Sequence, residues 1–236
     1  MSDMPSAVGA GEPSGHGLRA IAERPSRTRE IYEELRLAIA RRDLQPGSLY
    51  SVADLAETFG VSRTPVREAL IDLAARNIIK FERNRGVRIL QSSAEDLRDI
   101  FDLRLILETH AARRAAENLD EVTEAALREA FDALELATAG GDDLVYWSSD
   151  RAFHRVLVEA CGNHRLSEIV EGLRDSILVK GATSSGRTRS LQTITDDHRE
   201  IFEAVVGRDP DGAVTAMRKH LEQTARQLLK SEHSSP

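Results

Sequence analysis

A single cysteine, Cys161, excludes an internal disulfide and with it the small stapled scaffolds of secreted proteins. Aromatic residues make up only 4% of the chain, too few for a surface that stacks single-stranded bases. No apolar run approaches bilayer-spanning length, and the first residues lack the pattern of a secretion signal. The sequence therefore predicts a soluble, cytoplasmic protein with no membrane partner. Neither a phosphate-binding glycine loop nor a nucleophile elbow occurs, and no internal repeat is visible. What is present, 236 residues of which 41% are hydrophobic, suits one large or two modest domains with real cores.

The net charge of -7 argues against nucleic acid only when taken over the whole chain. Residues 26–90 hold 12 Lys and Arg against 9 Asp and Glu, whereas residues 91–236 hold 18 against 27. A local basic surplus beside an acidic remainder suits a small nucleic-acid module joined to a partner domain.

Residues 1–25 are rich in Gly, Ser, Pro and Ala without a period and predict a mobile tail, as do 232–236. A first helix, from about Ser26 to Arg42, buries Ile31, Leu35 and Ile39. Pro46-Gly47 marks a turn. A second helix runs from Val52 to Phe59, capped by Ser51 with Asp54 three residues on, and closed by Gly60. A third starts after Ser62 as N-cap, takes Pro65 in its first turn and ends at Asn77. Two strands, Ile78–Glu82 and Gly86–Leu90, then flank a polar tip. Residues 26–91 thus read as a winged helix-turn-helix.

From Ser93 onward every pattern is helical: about 94–118, 120–139, 142–161, 163–180, 194–207 and 210–230, with 181–190 as the one long flexible loop. The fold class is mainly α, with residues 92–231 an antiparallel helical bundle.

On a helical wheel, Val66, Ala69, Leu70 and Leu73 form the inward stripe of the third helix. Thr64 and Arg67 point away from it, and Arg63 lies on the flank. Such a helix, clamped on its apolar side, can offer its N-terminal side to the major groove of double-stranded DNA. Arg63 and Arg67 suit guanine edges, and Ser62 and Thr64 suit phosphates. Arg83 and Arg85 at the wing tip suit the backbone or minor groove, with Gly86 allowing close approach. A winged helix that contacts protein, its arginines merely solvated, is the alternative.

Asp150 and His154 lie four residues apart and share a helix face. His198 aligns with Ile201, Phe202 and Val205, and His220 with Ala213, Met217 and Leu221. Three inward histidines and an aspartate fit a shared divalent-metal site, and equally a polar core whose groups satisfy one another. Arg104 falls on the line Leu97, Phe101, Arg104, Glu108, Ala111, where it either forks onto a ligand carboxylate or pairs with Glu108. Ile100, Leu103 and Leu107 give the helix over 94–118 a second apolar side, suited to a dimer interface or a contact with the DNA-reading part. His110, His164 and Cys161 belong to no constellation.

Leu55-Ala56 and Phe59 through Leu70, with Pro46-Gly47 and Asn84-Arg85-Gly86-Val87, resemble the GntR family of bacterial transcription regulators. Asn77 stands where that family usually has glycine. The resemblance implies a homodimer reading a short palindrome, with Arg63 and Arg67 near the bases. Asp150-Arg151-Ala152-Phe153-His154, Asp197-His198 and Arg208-Asp209-Pro210 leading to His220 resemble the FCD ligand-binding domain of the FadR-type branch. That resemblance implies a divalent metal (Zn, Ni, Mn or Fe) on Asp150, His154, His198 and His220 and control by a small organic-acid effector, whose carboxylate an inward Arg104 could take; repressor is the expected role, with the sign of regulation open. A metal-dependent enzyme acting on a small organic acid is the alternative, although no further general base is placed by motif; a helical scaffold with core histidines is another.

Overall fold

The computed structural model describes residues 27–91, 93–179 and 189–232. The tails at 1–25 and 233–236 and most of the loop at 181–190 lie outside these residues, and so does Ser92.

Three helices and a small sheet come first. α1 (Arg27–Ala40) packs on α3 (Arg63–Ala75), with α2 (Val52–Thr58) beside it. The buried side chains are those of the wheel: Ile31, Leu35 and Ile39 from α1, and Val66, Ala69, Leu70 and Leu73 from α3. The Ser51 hydroxyl accepts from the Ala53 and Asp54 amides and starts α2. Ser62 stands at the N-cap position of α3 with the expected extended backbone, yet its side chain makes no capping bond and stays exposed. Asn77 takes a left-handed backbone at φ 56°, the role glycine would fill after α3.

The sheet has one strand more than the sequence reading allowed. β1 (Leu49–Tyr50) pairs with β3 (Gly86–Ile89), which pairs in turn with β2 (Ile79–Glu82), all antiparallel. Two residues carry no readable alternation, so β1 is visible only through its partner. The wing itself keeps the expected strands, with Ile79 opposite Ile89 and Glu82 opposite Gly86.

Six helices follow, within three residues of their predicted bounds: α4 (Ala94–Asn118), α5 (Glu121–Gly140), α6 (Asp143–Glu159), α7 (His164–Val179), α8 (Leu191–Val206) and α9 (Pro210–Glu232). The largest shift is the start of α8, where the Ser190 hydroxyl accepts from the Thr193 amide. Reciprocal bonds between Ser93 and Asp96 cap α4. α4 runs against α9, α9 against α8, and α5 against α6, around a second core that includes Phe101, Leu134, Phe153, Leu157, Ile201 and Leu221. Ile100 and Leu107 of the second apolar side pack against this core, whereas Leu103 stays 48% exposed and the neighbouring Ile106 68% exposed. No described helix is long and apolar enough to cross a membrane.

The two cores meet at α7. The Tyr32 hydroxyl and the Arg76 guanidinium donate to the fully buried Asp175 at 2.9 and 3.1 Å. The Ser176 hydroxyl donates to the Arg76 carbonyl at 2.9 Å.

Candidate functional site

The candidate DNA-reading face lies on the outer side of α3. Ser62, Arg63, Thr64 and Arg67 are all exposed, while Val66, Ala69, Leu70 and Leu73 clamp the opposite side. The Arg67 guanidinium lies over the Phe81 ring at 5.6 Å, so the first wing strand steadies it. Arg83 and Arg85 project at the wing tip, and Arg85 is held by Glu82 at 3.0 Å. Gly86 has a reason other than the one read from the sequence. At φ 126°, a Cβ there would come within 2.1 Å of the Tyr50 carbonyl oxygen. The close approach that requires glycine is therefore the pairing of β1 with β3.

The second site is a buried histidine centre. α6 contributes Asp150 and His154, α8 His198 and α9 His220, all of them buried. Ring nitrogens of the three histidines lie within 4.8 Å of one another. Nε2 of His154 and Nε2 of His198 are 3.1 Å apart, and the latter is 3.0 Å from Asp150 Oδ1. The remaining nitrogens assign the tautomers. His198 Nδ1 sits 2.7 Å from the Ile194 carbonyl, which can only accept, so Nδ1 carries the proton. His154 Nδ1 faces Glu108 Oε2 at 2.9 Å, an approach that is short but not aligned as an ideal hydrogen bond. The carboxylate charge still favours a proton on that nitrogen.

The electrostatics agree. Burial lowers the His154 imidazole to about 4, with repulsion from Arg174 adding to it. Burial, then the two neighbouring histidines, push His220 well below its ordinary value. Burial alone would raise Asp150, yet Arg174 and the His198 contact hold it well below the carboxylate range. Glu108 follows the same pattern, held down against burial by Arg104, His154 and Arg174. The Nε2 atoms of His154 and His198 and a carboxylate oxygen of Asp150 thus converge on one point. That arrangement is repulsive unless a cation sits among them, and mixed nitrogen and oxygen donors suit a divalent transition metal. The residues present therefore fit the metal that the sequence resemblance implies.

A cavity of about 90 Å³ opens beside this centre, with Asp150, His220, Arg104 and Arg174 in its wall. Ile177, Ile194 and Leu228 supply an apolar side. Arg104 pairs with Glu108, and at 4% exposed it also lines the cavity. The pair is buried, not a surface ornament, and burial lowers the Arg104 guanidinium from its usual value.

Sequence reasoning missed Arg174, which donates to Asp150 and lies 3.5 Å from Glu108. Its partners lie on α6 and α4, so no local spacing announces it. It also missed Glu108 as the partner of His154, although the inward line through Arg104 contained it. His110 and His164 are exposed, and Cys161 is a buried free thiol, each outside both sites.

Comparisons with known proteins identify the family of both parts. Residues 27–89 match the bacterial regulatory proteins of the gntR family, and residues 99–223 match the FCD domain. The chain is 30% identical over 221 residues to a probable D-xylose utilization operon transcriptional repressor of Paenarthrobacter nicotinovorans, covering 92% of this chain and 96% of that protein. It is 27% identical over 207 residues to the HTH-type transcriptional repressor RspR of Escherichia coli strain K12, covering 87% and 91%. Among solved structures, E. coli McbR/YncC superposes with a TM-score of 0.78 at 23% identity, over 88% of this chain and 99% of that one, which shows a shared fold.

Proposed function

Because the chain belongs to the GntR family of bacterial regulatory proteins and carries an FCD domain, a transcription regulator and not an enzyme, we propose that it is a cytoplasmic repressor controlled by a small organic acid at a divalent-metal site. Residues 26–91 form its DNA-binding domain and residues 92–231 its effector and dimerisation domain. Arg63 and Arg67 read base edges, Ser62 and Thr64 hold phosphates, and Arg83, Arg85 and Gly86 place the wing. A homodimer sets two such faces on a short palindromic operator. The exposed Leu103 and Ile106 of α4 suit the contact between copies.

One observation carries the effector reading: Asp150 and His220 share a cavity wall with Arg104 and Arg174. Asp150, His154, His198 and His220 would hold the metal. A bound divalent ion supplies a Lewis-acidic point for a carboxylate oxygen. Arg104 and Arg174 orient the carboxylate by charge-assisted hydrogen bonds, and the apolar wall excludes water around the rest. At about 90 Å³ the space is smaller than the roughly 150 Å³ cavity that takes a benzene ring, so it selects a short acid.

α6 and α7 link this site to the DNA-reading part. Asp150 pairs with Arg174, and their chain neighbours Arg151 and Asp175 pair one step along the same two helices. Asp175 also holds Tyr32 and Arg76 of the winged helix. An acid that draws on Arg174 shifts the first pair, and the second pair passes that shift to α1 and α3.

The test is a thermal-shift screen of short organic acids on purified protein with and without chelator. A ligand that binds only the folded state raises its melting temperature. Stabilisation by an acid that vanishes on chelation supports the reading. Acids that stabilise equally in chelated protein contradict it.

A further inference from the structure

We infer that Arg36, a residue of the winged helix, completes the effector cavity and reads a second acidic group on the ligand. The effector is then a short diacid whose two ends touch the two parts of the chain. This rests on the carboxylate-effector reading above and goes beyond it in naming a residue outside the FCD domain.

Arg36 follows Tyr32 by four residues on α1, so both lie on the face that meets α7. Its side chain is only 11% exposed, and it lines the same cavity as Asp150 and His220. Its hydrogen bonding is incomplete. The Nε–H donates to Glu33 at 2.9 Å, and one terminal nitrogen stands 4.0 Å from Asp175, beyond hydrogen-bond reach. The terminal nitrogens therefore have no hydrogen-bond acceptor among the described residues. A guanidinium with its fork left over matches a carboxylate in shape and charge.

The rest of the wall asks for the same chemistry. Trp147 and Arg174 line the cavity, and their buried Nε1 and Nε atoms, which can only donate, have no hydrogen-bond partner among the described residues. Four arginines (36, 104, 151 and 174) line the cavity against a single carboxylate, Asp150, which is engaged by Arg174 and His198. Glu108 balances Arg104 from behind the wall, and Asp175 and Glu171 balance Arg151. Arg36 has the half-buried Glu33 and a 4.0 Å approach to Asp175, a carboxylate that Arg76 and Arg151 already engage. A ligand carboxylate held near Arg104 and Arg174 leaves Arg36 unanswered; a second acidic group at the other end of a short chain answers it. Such a ligand ties α1 directly to the FCD domain, so diacids change the placement of the winged helix more than monoacids do.

The experiment is calorimetric titration of full-length, manganese-loaded protein with matched pairs: succinate and butyrate, malate and 2-hydroxybutyrate, glutarate and valerate. In the wild type, at least one diacid is expected to bind about tenfold or more tightly than its monoacid, as a charge-assisted hydrogen-bond pair warrants. Arg36→Gln is expected to erase that preference while leaving monoacid affinity within about twofold, and Arg36→Lys to restore part of it. If Arg36→Gln fails to fold, the wild type and the charge-retaining lysine variant still decide the matter. Equal binding of diacid and monoacid in the wild type, or a preference that survives Arg36→Gln, overturns the inference while the carboxylate reading stands. If no acid of any pair binds the wild type, the carboxylate reading itself falls and takes the inference with it.

Discussion

The Tyr32 hydroxyl donates to Asp175 at 2.9 Å across 143 residues of sequence, and that bond joins the DNA-reading part to the helix that faces the histidine centre. Asp175 is fully buried and gathers Tyr32, Arg76 and Arg151, while the preceding residue, Arg174, reaches Asp150. Adjacent residues on one helix thus serve the two sites. Asp175→Asn is expected to leave metal affinity unchanged. It should shrink the effector-induced change in operator affinity several-fold and cost roughly 3 kcal/mol of stability, since it removes a buried counter-charge of Arg76 and Arg151. Operator titrations with and without acid, beside urea melts, check this; full coupling in a folded variant contradicts it.

The reading face makes a separate prediction. Arg67→Ala is expected to weaken operator binding by about 1–3 kcal/mol and to relax base preference at one position of each half-site. Arg83→Ala should weaken all duplexes alike and lower the salt slope by about one. Binding-site selection followed by salt titration separates the two. A selection profile unchanged by Arg67→Ala would remove that residue from base readout.

Metal affinity depends on how the ligands are held. Glu108 faces His154 Nδ1 at 2.9 Å and favours the tautomer that turns Nε2 inward. Glu108→Gln is expected to lower metal affinity about 10–100-fold, read by competition with a chromophoric chelator. His220→Ala removes a ligand outright and should cost more. Wild-type affinity in both variants would mean that the histidines are core residues.

The buried imidazole sets a pH window for metal-free protein. The folded value for His154 is about 4, against 6.5 in the unfolded chain. Between these the unfolded chain holds a proton that the folded chain lacks, so stability rises with pH. The contribution is complete above about 6.5 and is lost as pH falls towards about 4. Chelated protein is expected to lose on the order of 2–4 kcal/mol over that span in urea melts, and His154→Gln to flatten the profile. A slope that is the same in the variant contradicts the assignment.

The legible parts of this molecule were those written in local periodicity. The stripe of Val66, Ala69, Leu70 and Leu73 fixed which side of α3 faces out, and the structure bears it out. His154, His198 and His220 each fell on an apolar face, and the fold brings the three together. Arg174 was illegible because its partners, Asp150 and Glu108, sit 24 and 66 residues away on other helices. Arg36 drew no attention in the sequence, since nothing local shows that a cavity lined by the helical bundle ends at its side chain. β1 escaped because two residues have no period, and the packing of Gly86 against the Tyr50 carbonyl was hidden with it.

The central claim is that acid and metal together control the DNA-reading face. The most direct measurement is operator affinity, by fluorescence anisotropy at fixed salt, in metal-loaded and chelated protein, each with and without a stabilising acid. At least a fivefold change is expected on adding acid to loaded protein, and none in chelated protein or in His220→Ala. Operator affinity that ignores the acid in loaded protein, or responds equally after chelation, contradicts it.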